Sequence, residues 1–97
     1  MLNYIQVLKD ILPYSFNIQI SNITYNMQIN YNSEGDFFTF DIYQDETPLA
    51  LGLKVVLDTL LYSFGDAVLY VTAITEGIDK VTFDNINVDT FIALIEV

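Results

Sequence analysis

Carboxylates are the residues best placed to do chemistry in this chain of 97 residues. There are thirteen Asp plus Glu against three Lys and no Arg, a formal net charge of −10. They collect in turn-like segments: Glu34/Asp36, Asp45/Glu46 and Asp84/Asp89. One use for such groups is a hard cation, which wants about six to eight oxygen ligands in a tight turn. "DNINVD" (Asp84 to Asp89) does not meet that need, because Ile86 stands where the third-position oxygen belongs and no Gly follows. Another use is glycoside hydrolysis by a carboxylate pair. Thirteen acids in so short a chain create pairs by chance, and a small domain offers little depth for a cleft. Nucleophilic catalysis by Ser15, Ser21, Ser33 or Ser63 lacks its usual activator, since the chain has no His. A Ser–Lys arrangement has no motif behind it. The reading is therefore no enzyme, no cofactor and no metal site, with the acids as a solvated surface for docking to a basic neighbour.

Composition narrows the partners. Cysteine is absent, which removes disulfides and thiolate ligands. Lys9, Lys54 and Lys80 are scattered rather than clustered. A phosphate-tracking surface needs clustered cations, so nucleic acid is excluded, and anionic membranes with it. Apolar residues make up 53% of the chain, high for a domain that cannot bury all of them. Such an excess tends to end in a protein interface, and it leaves room for a homo-oligomer. The opening "MLNYIQVLKD" lacks the features of a signal peptide, so export is not expected.

The elements that must position these residues read mostly as strands. Tyr14, Phe16, Ile18 and Ile20 alternate with Ser15, Asn17 and Gln19. After Ser21-Asn22, Ile23, Tyr25, Met27, Ile29 and Tyr31 alternate with Thr24, Asn26, Gln28 and Asn30. Two alternating runs about a short polar turn predict a β-hairpin with one solvated face. Phe37 to Tyr43 and Leu49 to Val56 predict a second hairpin across "QDETP". Ala67 to Thr75 and the terminal "TFIALIEV" complete the strands, with Val81 to Phe83 as a short further candidate. The fold class is all-β: one small antiparallel β-barrel or sandwich over residues 1–97, of about six to seven strands.

The longest apolar run, "PLALGLKVVLDTLLYSF" (Pro48 to Phe64), is the ambiguous stretch. Lys54 and Asp58 break it, so it is too short to span a membrane. Leu53, Val56, Leu57, Leu60, Leu61 and Phe64 form a helical stripe, while Leu49, Leu51, Leu53 and Val55 alternate. In these all-β surroundings we read Leu49 to Val56 as a buried strand. Leu57 to Phe64 then becomes a turn or short helix carrying Leu60 and Leu61 into the core.

The order of elements resembles the cyanophage-type baseplate plug proteins of contractile-tailed bacteriophages. The likeness is carried by "FNIQISNITYNMQINYN", by "GDFFTFDIYQDETPLALGLKVVLDTLLYSFGDAVLYV" and by "DNINVDTFIALIEV". Its most specific piece is "TPLALGLKVVLDTLL". The resemblance implies a structural protein of the virion tail baseplate, made in the bacterial host cytoplasm. It would sit near the central hub and pack against hub or wedge subunits.

Interface candidates follow from exposure and residue type. Phe38 and Phe40 share a core phase, whereas Phe37 falls on the opposite face with Thr39 and Asp41. Phe37 is thus an anchor candidate, joined by Asp45, Glu46, Tyr62 and Phe64. Tyr14, Tyr25 and Tyr31 lie on the apolar phase and read as core or rim packing with hydroxyls reaching water. Two rival functions remain at this level. One is an acidic DNA mimic that inhibits a basic enzyme. The other is a small ligand-binding β-barrel that uses its tyrosines.

Overall fold

A computed structural model describes residues 2–96. Its eight strands are β1 (Leu2–Ile5), β2 (Tyr14–Ile20), β3 (Ile23–Asn32), β4 (Phe37–Gln44), β5 (Thr47–Lys54), β6 (Leu60–Ser63), β7 (Ala67–Ala73) and β8 (Thr90–Glu96). They form two four-stranded antiparallel sheets, β1-β8-β7-β6 and β2-β3-β4-β5. The sheets do not close on each other, so the sandwich reading holds over the barrel. Among the described residues there is no α-helix, only a 3-10 turn at Lys9–Ile11, and no helix long and apolar enough to cross a membrane.

Alternation builds the second sheet as a simple meander. In β4, Phe38, Phe40 and Ile42 are fully buried, while Phe37, Thr39 and Asp41 face the other way and stay half-buried. Tyr25, Met27 and Ile29 do the same in β3. Leu69, Val71, Ile92 and Leu94 answer them from the first sheet, in one continuous core. The β2–β3 turn is Ser21-Asn22, with φ of 51° and 67°. Two successive left-handed residues make the turn whose twist suits a two-residue hairpin.

Four expectations are corrected or narrowed. The chain has eight strands rather than six or seven. The extra ones are β1, held by antiparallel pairing with β8, and β6. Val81 to Phe83 is a loop, not a strand. The stretch from Leu57 to Phe64 holds no helix. Asp58 takes a φ of 60°, which reverses the chain. Its N–H then bonds the Val71 carbonyl at 2.8 Å, and the Thr59 carbonyl accepts the Val71 N–H at 3.0 Å. Pairing with β7 thus claims the backbone groups a helix would need. Leu61 reaches the core, but Leu60 is 53% exposed. Similarly, Thr47–Lys54 is not a buried strand but the exposed edge of its sheet, and Val55 just beyond it supplies the buried contact.

Gly52 explains part of that edge. Its φ of +68° sits at a break in the β4–β5 register, and its N–H bonds the Asp41 carboxylate at 2.7 Å. A left-handed residue there lets β5 bulge away from β4.

Candidate interaction surface

The strand register sorts the loops into two ends. Tyr25 pairs with Gln44, which places the β2–β3 turn beside the β4–β5 turn. The Phe64 ring lies 4.7 Å from the Tyr25 ring, bringing the β6–β7 turn to the same end. Tyr62 meets Phe64 edge-on at 4.9 Å. Four of the five interface candidates, Asp45, Glu46, Tyr62 and Phe64, therefore share this hairpin end. Asp45 and Glu46 are exposed, while Tyr62 and Phe64 are half-buried against the core. Exposed Ile23 borders the β2–β3 turn, and exposed Pro48 and Leu49 follow the β4–β5 turn at the same end.

Phe37 belongs to the opposite end, where it pairs with Asn32 across the β3–β4 loop. Its ring packs over Gly35, where any Cβ would overlap it. The Lys54 ammonium sits 4.5 Å from its centre. Phe37, Lys54, Val55, Val56 and Lys80 line a shallow pocket of about 250 Å³. The ring is thus partly engaged within its own chain.

That loop end also holds a network that sequence reasoning missed. The Asp36 carboxylate accepts the Phe83 N–H at 2.9 Å and the Tyr31 hydroxyl at 2.7 Å. These two donors hold the Asp36 carboxyl below its ordinary range, the Phe83 N–H most of all. Tyr31 is pushed up, chiefly because its hydroxyl donates to that carboxylate. Lys9 donates to the Phe83 carbonyl at 2.7 Å and lies 4.9 Å from its ring. Asn87 accepts the Val7 N–H at 3.0 Å and donates to the Val7 carbonyl at 2.7 Å. Side chains here replace the ladder hydrogen bonds a strand would supply. The only hint in the sequence was the Asn- and Asp-rich "DNINVD".

The tyrosines are occupied as well. The Tyr14 hydroxyl accepts the Leu8 N–H at 3.0 Å and donates to the Gln6 carbonyl at 3.2 Å. With Tyr31 bound to Asp36, two of the three tyrosine hydroxyls bond protein groups. No group of three or more His, Cys, Asp or Glu among the described residues could hold a metal ion. What the surface offers is apolar and aromatic area bordered by carboxylates. Such a surface can bury contact area.

The family model for the cyanophage baseplate Pam3 plug gp18 matches residues 2–96. The chain belongs to the cyanophage baseplate plug family. The match covers nearly the whole domain, both sheets and every loop between them. No curated protein matches the chain. As a baseplate plug, the protein has a structural role in the phage tail baseplate.

Proposed function

We propose that this plug sits near the central hub of the baseplate and acts by protein–protein packing, with acidic complementarity at its rim. Hub or wedge subunits would bury its hairpin end, with Tyr62 and Phe64 beneath the contact and Asp45 and Glu46 facing basic groups. The full-length family match carries this reading, and the gathering of four candidates at one end supports the location. A standard interface takes about 800 Å² from each partner, roughly one-seventh of the 5665 Å² surface of this domain. Co-expression with the hub and wedge proteins tests the proposal. Retention of the plug through a high-salt wash, with loss on Tyr62→Ala plus Phe64→Ala in a variant that keeps its fold, is the expected result. Release of the native protein by modest salt would point instead to a mainly electrostatic, decoy-like contact.

A further inference from the structure

Every open sheet exposes edge strands, and proteins guard them with charge, proline, bulges or shortness. Three of the four edges here are guarded. β5 carries Pro48, Lys54 and two register breaks. β6 and β1 have four residues each. β2 has none of these devices. It runs seven residues in unbroken register with β3, with neither proline nor charge. No charged residue occurs anywhere from Ile11 to Ser33, although the chain carries sixteen percent charged residues.

The hydrogen-bond phase of this edge follows from its turn. Ile20 and Ile23 flank a two-residue loop, so they form a hydrogen-bonded pair, and the alternation continues along the ladder. Ser15, Asn17 and Gln19 therefore direct their N–H and C=O groups to the open side. The core-phase side chains are incompletely covered too. Tyr14, Phe16 and Ile18 stay half-exposed while their neighbours Tyr25, Met27 and Ile29 are buried. An apolar groove lined by Ile5, Leu8, Tyr14 and Phe16 runs beside them.

We propose that the open edge of β2 is a strand-pairing surface for a second copy of this chain, joined antiparallel about a two-fold axis at Asn17. The strand is self-complementary in that register. Asn17 faces its own copy, Ser15 faces Gln19, Phe16 faces Ile18 and Tyr14 faces Ile20, so polar meets polar and apolar meets apolar. Ser15, Asn17 and Gln19 are in the hydrogen-bonding phase from both sides. A two-fold contact requires such a self-matching patch. Charge sets where two copies can meet. Two bodies of net charge −10 repel, and the uncharged β2–β3 hairpin lets them meet without bringing carboxylates together.

Sedimentation or light scattering on the full chain, across protein and salt concentration, tests this. The expected result is a mass rising from the 11.1 kDa monomer toward its double. Added salt promotes it, because salt screens the repulsion. This response is opposite to that of a contact between acidic and basic partners, and because the chain is tested alone the result does not depend on hub docking. Asn17→Asp keeps an oxygen for the Asn26 amide, which donates to it at 3.1 Å. It sets two carboxylates face to face across the axis, so it should return the protein to a folded monomer whose melting no longer depends on protein concentration. The chain has no Cys, so Asn17→Cys introduces a lone thiol. Facing residues of a hydrogen-bonded pair lie about 5.5 Å apart, within disulfide reach. It should cross-link on oxidation, whereas Glu76→Cys in a remote loop should not. A native chain that stays monomeric at high concentration, or a dimer that Asn17→Asp leaves intact, overturns the proposal. If the native chain is monomeric and Asn17→Asp instead blocks assembly with baseplate subunits, the edge serves a foreign strand and self-pairing is wrong.

Discussion

The Asp36 carboxylate and the Phe83 N–H meet at 2.9 Å across 47 residues of sequence. This bond ties the β3–β4 loop of one sheet to the long loop that leads into β8 of the other. Phe83 is then set parallel to Phe38, with ring centres 6.3 Å apart, and 5.0 Å from Tyr31. Asp36 itself has a φ of 54°, a conformation Asp and Asn accept more readily than other side chains.

The tie makes stability depend on pH in a definite direction. Asp36 is held below its ordinary carboxyl value, so its contribution is fully present above that value. It is lost as the pH falls through the lowered one. Tyr31 is raised, so its share is present below the ordinary tyrosine value and lost as the pH rises through the raised one. Asp36→Asn keeps the backbone conformation and removes the charge. Its denaturation midpoint should fall below the native one at neutral pH, and the gap should close in acid. Urea titrations at several pH values check this. A gap that stays constant from neutral pH down to about pH 2 would contradict the linkage.

Asn87 holds Val7 by both backbone groups, and Val7 is only 2% exposed. Asn87→Ala leaves a nearly buried N–H and C=O without partners, which should cost about 1–3 kcal/mol. Asn87→Asp retains the acceptor but loses the donor to the Val7 carbonyl, so it should not restore stability at neutral pH. Equilibrium denaturation of the two variants measures both effects.

The two faces of β4 give a paired test. Phe38 is fully buried against Tyr31 and Phe83, and Phe38→Ala should cost about 3–5 kcal/mol. Phe37 is half-buried, and its contact with Lys54 is of a kind worth about 0.5–1 kcal/mol at exposed sites. Phe37→Ala should therefore cost clearly less. Equal losses would show that the face assignment fails.

Alternation made these faces legible before any coordinates. A sheet with one wet face writes period two into its sequence, so Tyr14 to Tyr31 and Phe38 against Phe37 could be read directly. Other parts depend on partners distant in the chain. β1 is four residues long and exists through its pairing with β8. Leu60 and Leu61 sit on a helical stripe that also fits a strand, and only the left-handed Asp58 and the pairing with Val71 decide the case. The clamps from Asp36, Lys9 and Asn87 leave no period at all. Gathering Asp45, Glu46, Tyr62 and Phe64 at one end required strand order, which composition does not carry.

The Ser21-Asn22 turn offers a gain in stability. Both residues are left-handed, which costs most side chains about 1–2 kcal/mol and costs Gly almost nothing. Replacing the pair by Asn-Gly should raise the melting temperature without altering the fold. Asn22→Val should lower it. Thermal denaturation followed by circular dichroism compares the variants.

The most direct test is to locate the protein in the intact tail. Purified virions, probed by mass spectrometry and by labelling of the plug in electron micrographs, should contain it at the baseplate near the hub axis. Its absence from purified virions, or its presence only outside the tail, would contradict a structural role in the baseplate.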